Sequence, residues 1–231
     1  MSVMNPLNTR IREADLNMIT IACVRTGNKY GIEYVVRLRN MVRRHLPLEH
    51  EIICITDQPE QVSGVRMIPL KYPQLDGWWA KMALFEYQCI NHHRTVYLDL
   101  DTVIVGDLSP LAAVSGFAIC ENFTKLAGHR DWPCNYGSCV MVLPPYFGAE
   151  IWAPFESDMQ SVIAACPKGD QQAIELLYPN ADYLQEVLPT GYLIGRRDFT
   201  DEQPVGASLM IFAGKHKPHN TPHTWLKEAW G

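Results

Sequence analysis

The sequence predicts an α/β domain built on a mainly parallel sheet covered by helices. Two observations carry this. Short β-prone apolar runs alternate with stretches of helical periodicity through the first half, and strand–helix–strand order implies right-handed crossovers between parallel neighbours. The composition agrees: 231 residues, 47% hydrophobic and 19% charged, are enough to bury one substantial core and too apolar for a disordered chain. In such sheets ligands collect at the carboxyl ends of the strands, so polar residues directly after apolar runs are the first site candidates.

The first run, 17–24 (NMITIACV), has the length and branching of a buried strand. The turn composition Arg25-Thr26-Gly27-Asn28 follows. From Tyr30 to Leu46 the apolar residues Tyr34, Val35, Leu38, Met41, Val42 and Leu46 recur at helical spacing, and Pro47 ends the pattern. Glu51 to Thr56 reads as a second strand, stopped by Asp57-Gln58-Pro59, and Val65 to Leu70 as a third. A helical pattern over Trp78 to Ile90 leads into a strand from Arg94 to Leu98, and extended structure resumes over Val103 to Val105.

The second half is less regular. Phe117 to Cys120, Ser138 to Leu143 and Ser208 to Phe212 read as strands. Ile151 to Ala165 and Gln171 to Tyr178 read as helices, and Thr224 to Trp230 as a short closing helix anchored by its two tryptophans. No repeat or low-complexity linker divides the chain. Residues 1–16 form an extension, and 17–231 form one domain.

Composition also narrows the function. The net charge of −5, from 20 basic and 25 acidic side chains, argues against general nucleic-acid affinity, and the arginines of the Tyr30–Leu46 helix read as a solvated face. No run approaches the roughly 18 apolar residues of a membrane span, and the first 16 residues lack a signal-peptide core. The seven cysteines are odd in number, scattered, and often inside apolar runs, which predicts reduced thiols and a cytoplasmic protein. Cys134, Cys139 and the histidines 216, 219 and 223 do not match a common structural zinc spacing. The turn after the first strand also lacks the G-x-G-x-x-G of a dinucleotide-binding dehydrogenase and the glycine-rich loop of a sugar nucleotidyltransferase.

The most informative segment runs from Arg94 to Val105, RTVYLDLDTVIV. Alternate residues of an extended chain point the same way, so Asp99 and Asp101 can present two carboxylates together. Two such groups leaving an apolar strand repel each other and lose hydration, and a hard divalent cation, Mn²⁺ or Mg²⁺, relieves both costs. The bland alternative is a solvated pair of turn aspartates. The apolar residues on both sides favour the cation.

Five segments, in order, carry a resemblance. They are Val96-Tyr-Leu-Asp-Leu-Asp-Thr-Val-Ile-Val-Gly-Asp-Leu108, the Trp78-Trp-Ala-Lys-Met-Ala-Leu-Phe-Glu86 run before it, and Asn135-Tyr-Gly-Ser138 with the strand that follows. The others are Gly169-Asp-Gln-Gln172 and the late loop Phe212-Ala-Gly-Lys-His-Lys-Pro-His219. Together they resemble nucleotide-sugar-dependent glycosyltransferases of the GT-A fold, most of all glycosyltransferase family 8, the glycogenin-like and bacterial galactosyltransferase-like group. The resemblance implies a metal-dependent transfer from a UDP-sugar with retention at the anomeric carbon. It also implies a nucleotide-binding half over 17–105 and a donor-sugar and acceptor half over 106–231.

Residue by residue, it implies Asp99 and Asp101 as metal ligands. The backbone at Val24, Arg25 and Thr26, just after the first strand, would lie against the nucleoside. Leu100, Asn135, Gly137 and Gly214 would line the donor, and Lys81, Lys215 and Lys217 would meet the diphosphate. Asp57 is either a contact to the base or a plain turn aspartate. Asp170 and Gln171 are either catalytic, offsetting positive charge at the anomeric carbon, or the start of a helix. One departure stands out: the family's metal-binding histidine falls at Ile211, which leaves His216, or less well His219, to replace it. A chain lacking that histidine is also compatible with a GT-A-like nucleotide-binding module of little catalytic power. Saccharide, lipid-linked, protein and nucleobase acceptors all stay open.

Overall fold

The computed structural model describes residues 18–58, 60–86, 93–212, 214 and 216–231. Strand β1 (Ile19–Arg25) pairs in parallel with β2 (His50–Thr56) on one side and with β4 (Arg94–Leu98) on the other. Beyond β2 lies β3 (Arg66–Pro69), and beyond β4 come β7 (Tyr136–Leu143), β6 (Ala118–Glu121) and β8 (Asp182–Tyr183). Only β7 runs against the other six, so the sheet is mainly parallel as the sequence predicts. Three short strands, β5 (Val103–Ile104), β9 (Leu193–Gly195) and β10 (Leu209–Ile211), form a second small sheet in the order β5-β10-β9.

Alternation along the strands builds two apolar layers, one on each face of the main sheet. Ile19, Ile21 and Cys23 of β1, with Ile52 and Cys54 of β2, pack against Tyr34, Val35, Leu38, Met41 and Val42 of helix α1 (Ile32–His45). The intervening Ala22, Ile53 and Ile55 face the opposite layer. A strand buried on both faces reads as a continuous apolar run, which is what β1 and β2 show in sequence.

The expected helix over 78–90 is a 3-10 segment over Gly77–Phe85; residues 87–90 lie outside the described residues, as do the extension 1–16, Cys89 and Lys215. Ala80 through Phe85 are all buried, so this stretch has no single apolar face for a helical period to report. After the short helices α2 (Ser109–Ala113) and α3 (Phe123–Leu126), the expected helix over 151–165 is two: α4 (Ala149–Ser157) and α5 (Met159–Ala165). Asp158 separates them and its carboxylate accepts from Ser161 N, capping the second, while Pro154 removes a donor from the first. Helix α6 (Asp170–Leu177) and the closing helix over Thr224–Trp230 fall where expected. No helix among the described residues is long and apolar enough to cross a membrane.

Gly148 joins this frame to the site. It precedes α4 at φ +141°, and a β-carbon there would lie 2.6 Å from the carbonyl oxygen of Phe85, the last residue of the 3-10 segment. Gly148→Ala therefore combines backbone strain with a clash against main chain, and we expect it to lower stability by about 2 kcal/mol. Urea unfolding measures this. An unchanged midpoint would mean the junction yields freely.

Candidate active site

A cleft of about 700 Å³ opens at the carboxyl ends of β1 and β4. Strand β4 ends at Leu98, and Asp99–Thr102 form a turn closed by Thr102 N donating to Asp99 O at 3.0 Å. The two aspartates therefore meet the cleft through a turn, not through the alternation of an extended strand. Both line it, with Leu100 between them.

Each carboxylate has its own tyrosine and its own lysine. Tyr97 OH donates to Asp99 Oδ1 at 2.6 Å, and Lys81 Nζ lies 3.1 Å from the same oxygen. Tyr30 OH donates to Asp101 Oδ2 at 2.8 Å, and Lys217 Nζ donates to it as well. Asp101 is buried, whereas the Asp99 side chain is 31% exposed. Burial and the Asp101 charge push the Tyr30 hydroxyl far above its ordinary value, so it stays a donor.

Lys81 ties this pair to a third carboxylate. Its ammonium lies 3.2 Å from Asp170 Oδ2, donates to Ser138 Oγ at 3.0 Å and to Ser138 O at 3.1 Å, and sits 5.2 Å from the centre of the Tyr97 ring. Ser138 Oγ in turn donates to Asp170. Burial alone would lower the lysine's pKa. Asp170 and Asp99 more than offset it, so the net shift is upward and Lys81 is a fixed cation between two anions. Lys29 also lines the cleft, and its pKa is lowered first by burial and then by the neighbouring Lys217.

With these positions in view, comparison with solved structures places the architecture. The galactosyltransferase LgtC in complex with donor and acceptor sugar analogs superposes over 91% of this chain and 95% of its own, with a TM-score of 0.64 and 13% identity. The chain has the GT-A glycosyltransferase fold. GlyE of Streptococcus pneumoniae matches over 93% of this chain and 60% of its own (TM-score 0.60, 15% identity), and the bifunctional glycosyltransferase WbbM over 98% and 52% (TM-score 0.57, 14% identity). No protein-family model and no curated protein sequence matches the chain.

On this GT-A frame the residues singled out in the sequence divide. Val24, Thr26, Lys81, Asp99, Leu100, Asp101, Gly137, Asp170, Gln171, Gly214 and Lys217 line the one cleft. Arg25, Asp57, Asn135 and His216 do not. Arg25 ends β1 with a buried side chain that donates to Tyr30 O and pairs with Glu60 at 2.7 Å. Asp57 accepts from Gly27 N at 2.9 Å, tying the turn after β1 to the end of β2, and Asn135 N donates to Glu175 at 2.8 Å. His216 is exposed, and His219 Nδ1 is 2.5 Å from Tyr34 OH. Ile211 does line the cleft and brings no ligand atom. Among the described residues no group of three or more His, Cys, Asp or Glu gathers to hold a metal. Sequence reasoning passed over Ser138, Tyr30 and Lys29. The signal for Ser138 was within the Asn135–Ser138 segment, one residue past the glycine.

Proposed function

We propose that this protein is a glycosyltransferase that moves a sugar from a nucleotide sugar, a UDP-sugar, to an acceptor hydroxyl, with a divalent cation, Mn²⁺ or Mg²⁺, and with retention. The observation that carries the reading is the convergence of three carboxylates and the lysines 81 and 217 in one cleft at the strand ends of a GT-A fold. The donor set suits a hard cation: Asp99 Oδ2 and Asp101 Oδ1 accept no hydrogen bond from a described residue and remain free as oxygen ligands. Two carboxylates, substrate phosphates and water are a common shell for Mg²⁺. When bound, the ion would neutralise charge on the departing diphosphate.

The chain's own part follows from charge. As the bond from the anomeric carbon to the diphosphate oxygen breaks, the electron pair leaves with that oxygen, and Lys217 with Lys29 offers cations to it. Positive charge grows on the sugar, and Asp170, held by Ser138 and Lys81, supplies the fixed negative charge to oppose it. The Gln171 side chain belongs to the same wall. A cytoplasmic location belongs to the same proposal and rests on the cysteines, which are scattered and mostly buried.

The test is a screen of UDP-, GDP- and CMP-sugars for Mn²⁺-dependent thermal stabilisation and slow donor hydrolysis. One UDP-sugar should raise the melting temperature and be hydrolysed. Stabilisation by UDP without turnover of any donor would support the nucleotide-binding module instead, and no response to any nucleotide would end both readings.

A further inference from the structure

Neighbouring tryptophans at the start of the 3-10 segment have opposite surroundings. Trp79 turns inward and stacks on Phe155, with ring centroids 6.3 Å apart. Trp78 turns into the cleft and stays 60% exposed. Leaving an indole this bare forgoes roughly 2 kcal/mol of burial, so the position is not one that packing alone selects.

What holds Trp78 there is Gly169. A β-carbon at 169 would fall 2.6 Å from both Cδ1 and Nε1 of the indole, and the glycine's φ of +86° suits no other residue well. The indole edge thus rests on the residue directly before Asp170 and Gln171. Trp132 also lines the cleft, with Lys168 Nζ 4.7 Å from its ring centre. Pro167 completes this rim.

We propose that Trp78 is the platform of the acceptor subsite, and that the acceptor is a saccharide whose pyranose ring lies with its apolar C–H face on the indole. This rests on the glycosyltransferase reading and deepens it. The geometry matches the chemistry: a sugar ring offers a patch of positively polarised C–H groups on one face and hydroxyls around its edge. An indole face carries negative quadrupole charge and prefers such a partner. A platform beside Asp170 sets one hydroxyl of the stacked ring near the carboxylate, and Lys168 offers a donor to the ring's edge. A lipid tail would want a continuous apolar trough, and the charged residues Lys168 and Asp170 interrupt this rim.

Saturation-transfer NMR with methyl β-D-galactopyranoside and methyl β-D-glucopyranoside tests this, with UDP binding in Mn²⁺ followed on the same wild-type sample. Wild-type protein should pass saturation mainly to the C–H protons of one ring face. Trp78→Ala should bind the better glycoside about tenfold more weakly, and Trp78→Phe should recover part of the loss. A urea curve for each variant reports whether it is folded. Equal binding by Trp78→Ala, or no contact of either glycoside with a wild-type protein that binds UDP, overturns the platform alone. Failure of the wild type to bind UDP overturns the underlying reading with it.

Discussion

Lys81→Met should lower folding stability by about 3 kcal/mol and reduce glycosyl transfer at least a hundredfold. The ammonium is buried and lies within 3.2 Å of two carboxylates. Removing one partner of a buried ion pair leaves an uncompensated charge, typically at a cost of about 3–5 kcal/mol. The lower end applies because Tyr97 still donates to Asp99 and Ser138 to Asp170. Lys81→Met combined with Asp170→Asn should recover much of the stability and none of the activity, since the stranded charge is gone while the fixed anion is also lost. The pH dependence has a definite sign. The folded state raises this lysine's pKa, so its contribution is fully present below the ordinary lysine value of about 10.4 and is lost only as pH rises through the higher folded value. The difference between wild type and variant should therefore be flat from about pH 6 to pH 9. A Lys81→Met protein within about 0.5 kcal/mol of wild type in urea unfolding would mean that the three-carboxylate cluster is not organised around this side chain.

Lys81 also shows how much the sequence discloses. A lysine inside Trp-Trp-Ala-Lys-Met-Ala-Leu-Phe is conspicuous, because a solvated lysine has no reason to interrupt an apolar run. Its partners were harder to see. Asp99 is nearby in sequence, but Asp170 and Ser138 arrive from α6 and β7, and Ser138 is an ordinary serine until β7 places it under the ammonium. The same contrast runs through the fold. β1, β2 and β4 were legible as unbroken apolar runs and α1 by its helical period, because each buries many apolar side chains. β8, β9 and the helices over 109–113, 123–126 and 184–187 are two to five residues long, too short for any period, and are held by pairing with distant segments. At Arg25 the sequence pointed to the backbone at the end of a strand and was silent on the side chain, which burial turns toward the Tyr30 carbonyl and Glu60.

Asp101→Asn and Asp99→Asn should each abolish the cation-dependent response to nucleotide, yet differ in what they do to the fold. Asp101 is buried and accepts from both Tyr30 and Lys217, so its neutral replacement leaves the Lys217 ammonium, which also reaches the Phe212 carbonyl at 3.5 Å, without its anionic partner. We expect a stability loss of about 2 kcal/mol for Asp101→Asn. Asp99 is partly open to solvent, and its loss relieves some of the crowding of negative charge around Lys81, so Asp99→Asn should cost less than about 1 kcal/mol. Ligand linkage separates this structural difference from the shared role. At a free UDP concentration a hundredfold above its Kd, with Mn²⁺ present, wild type should gain about 2.7 kcal/mol, or roughly 5–10 °C in melting temperature. Chelation of the ion, or either substitution, should remove most of that gain. If the two carboxylates served only to neutralise Lys81 and Lys217, the variants would rank by burial in both measurements, and Asp99→Asn would keep its Mn²⁺-dependent shift. Equal loss of the shift from unequal losses of stability is the pattern that a cation shared by Asp99 Oδ2 and Asp101 Oδ1 requires, because each oxygen contributes to the ion whatever its carboxylate contributes to the fold.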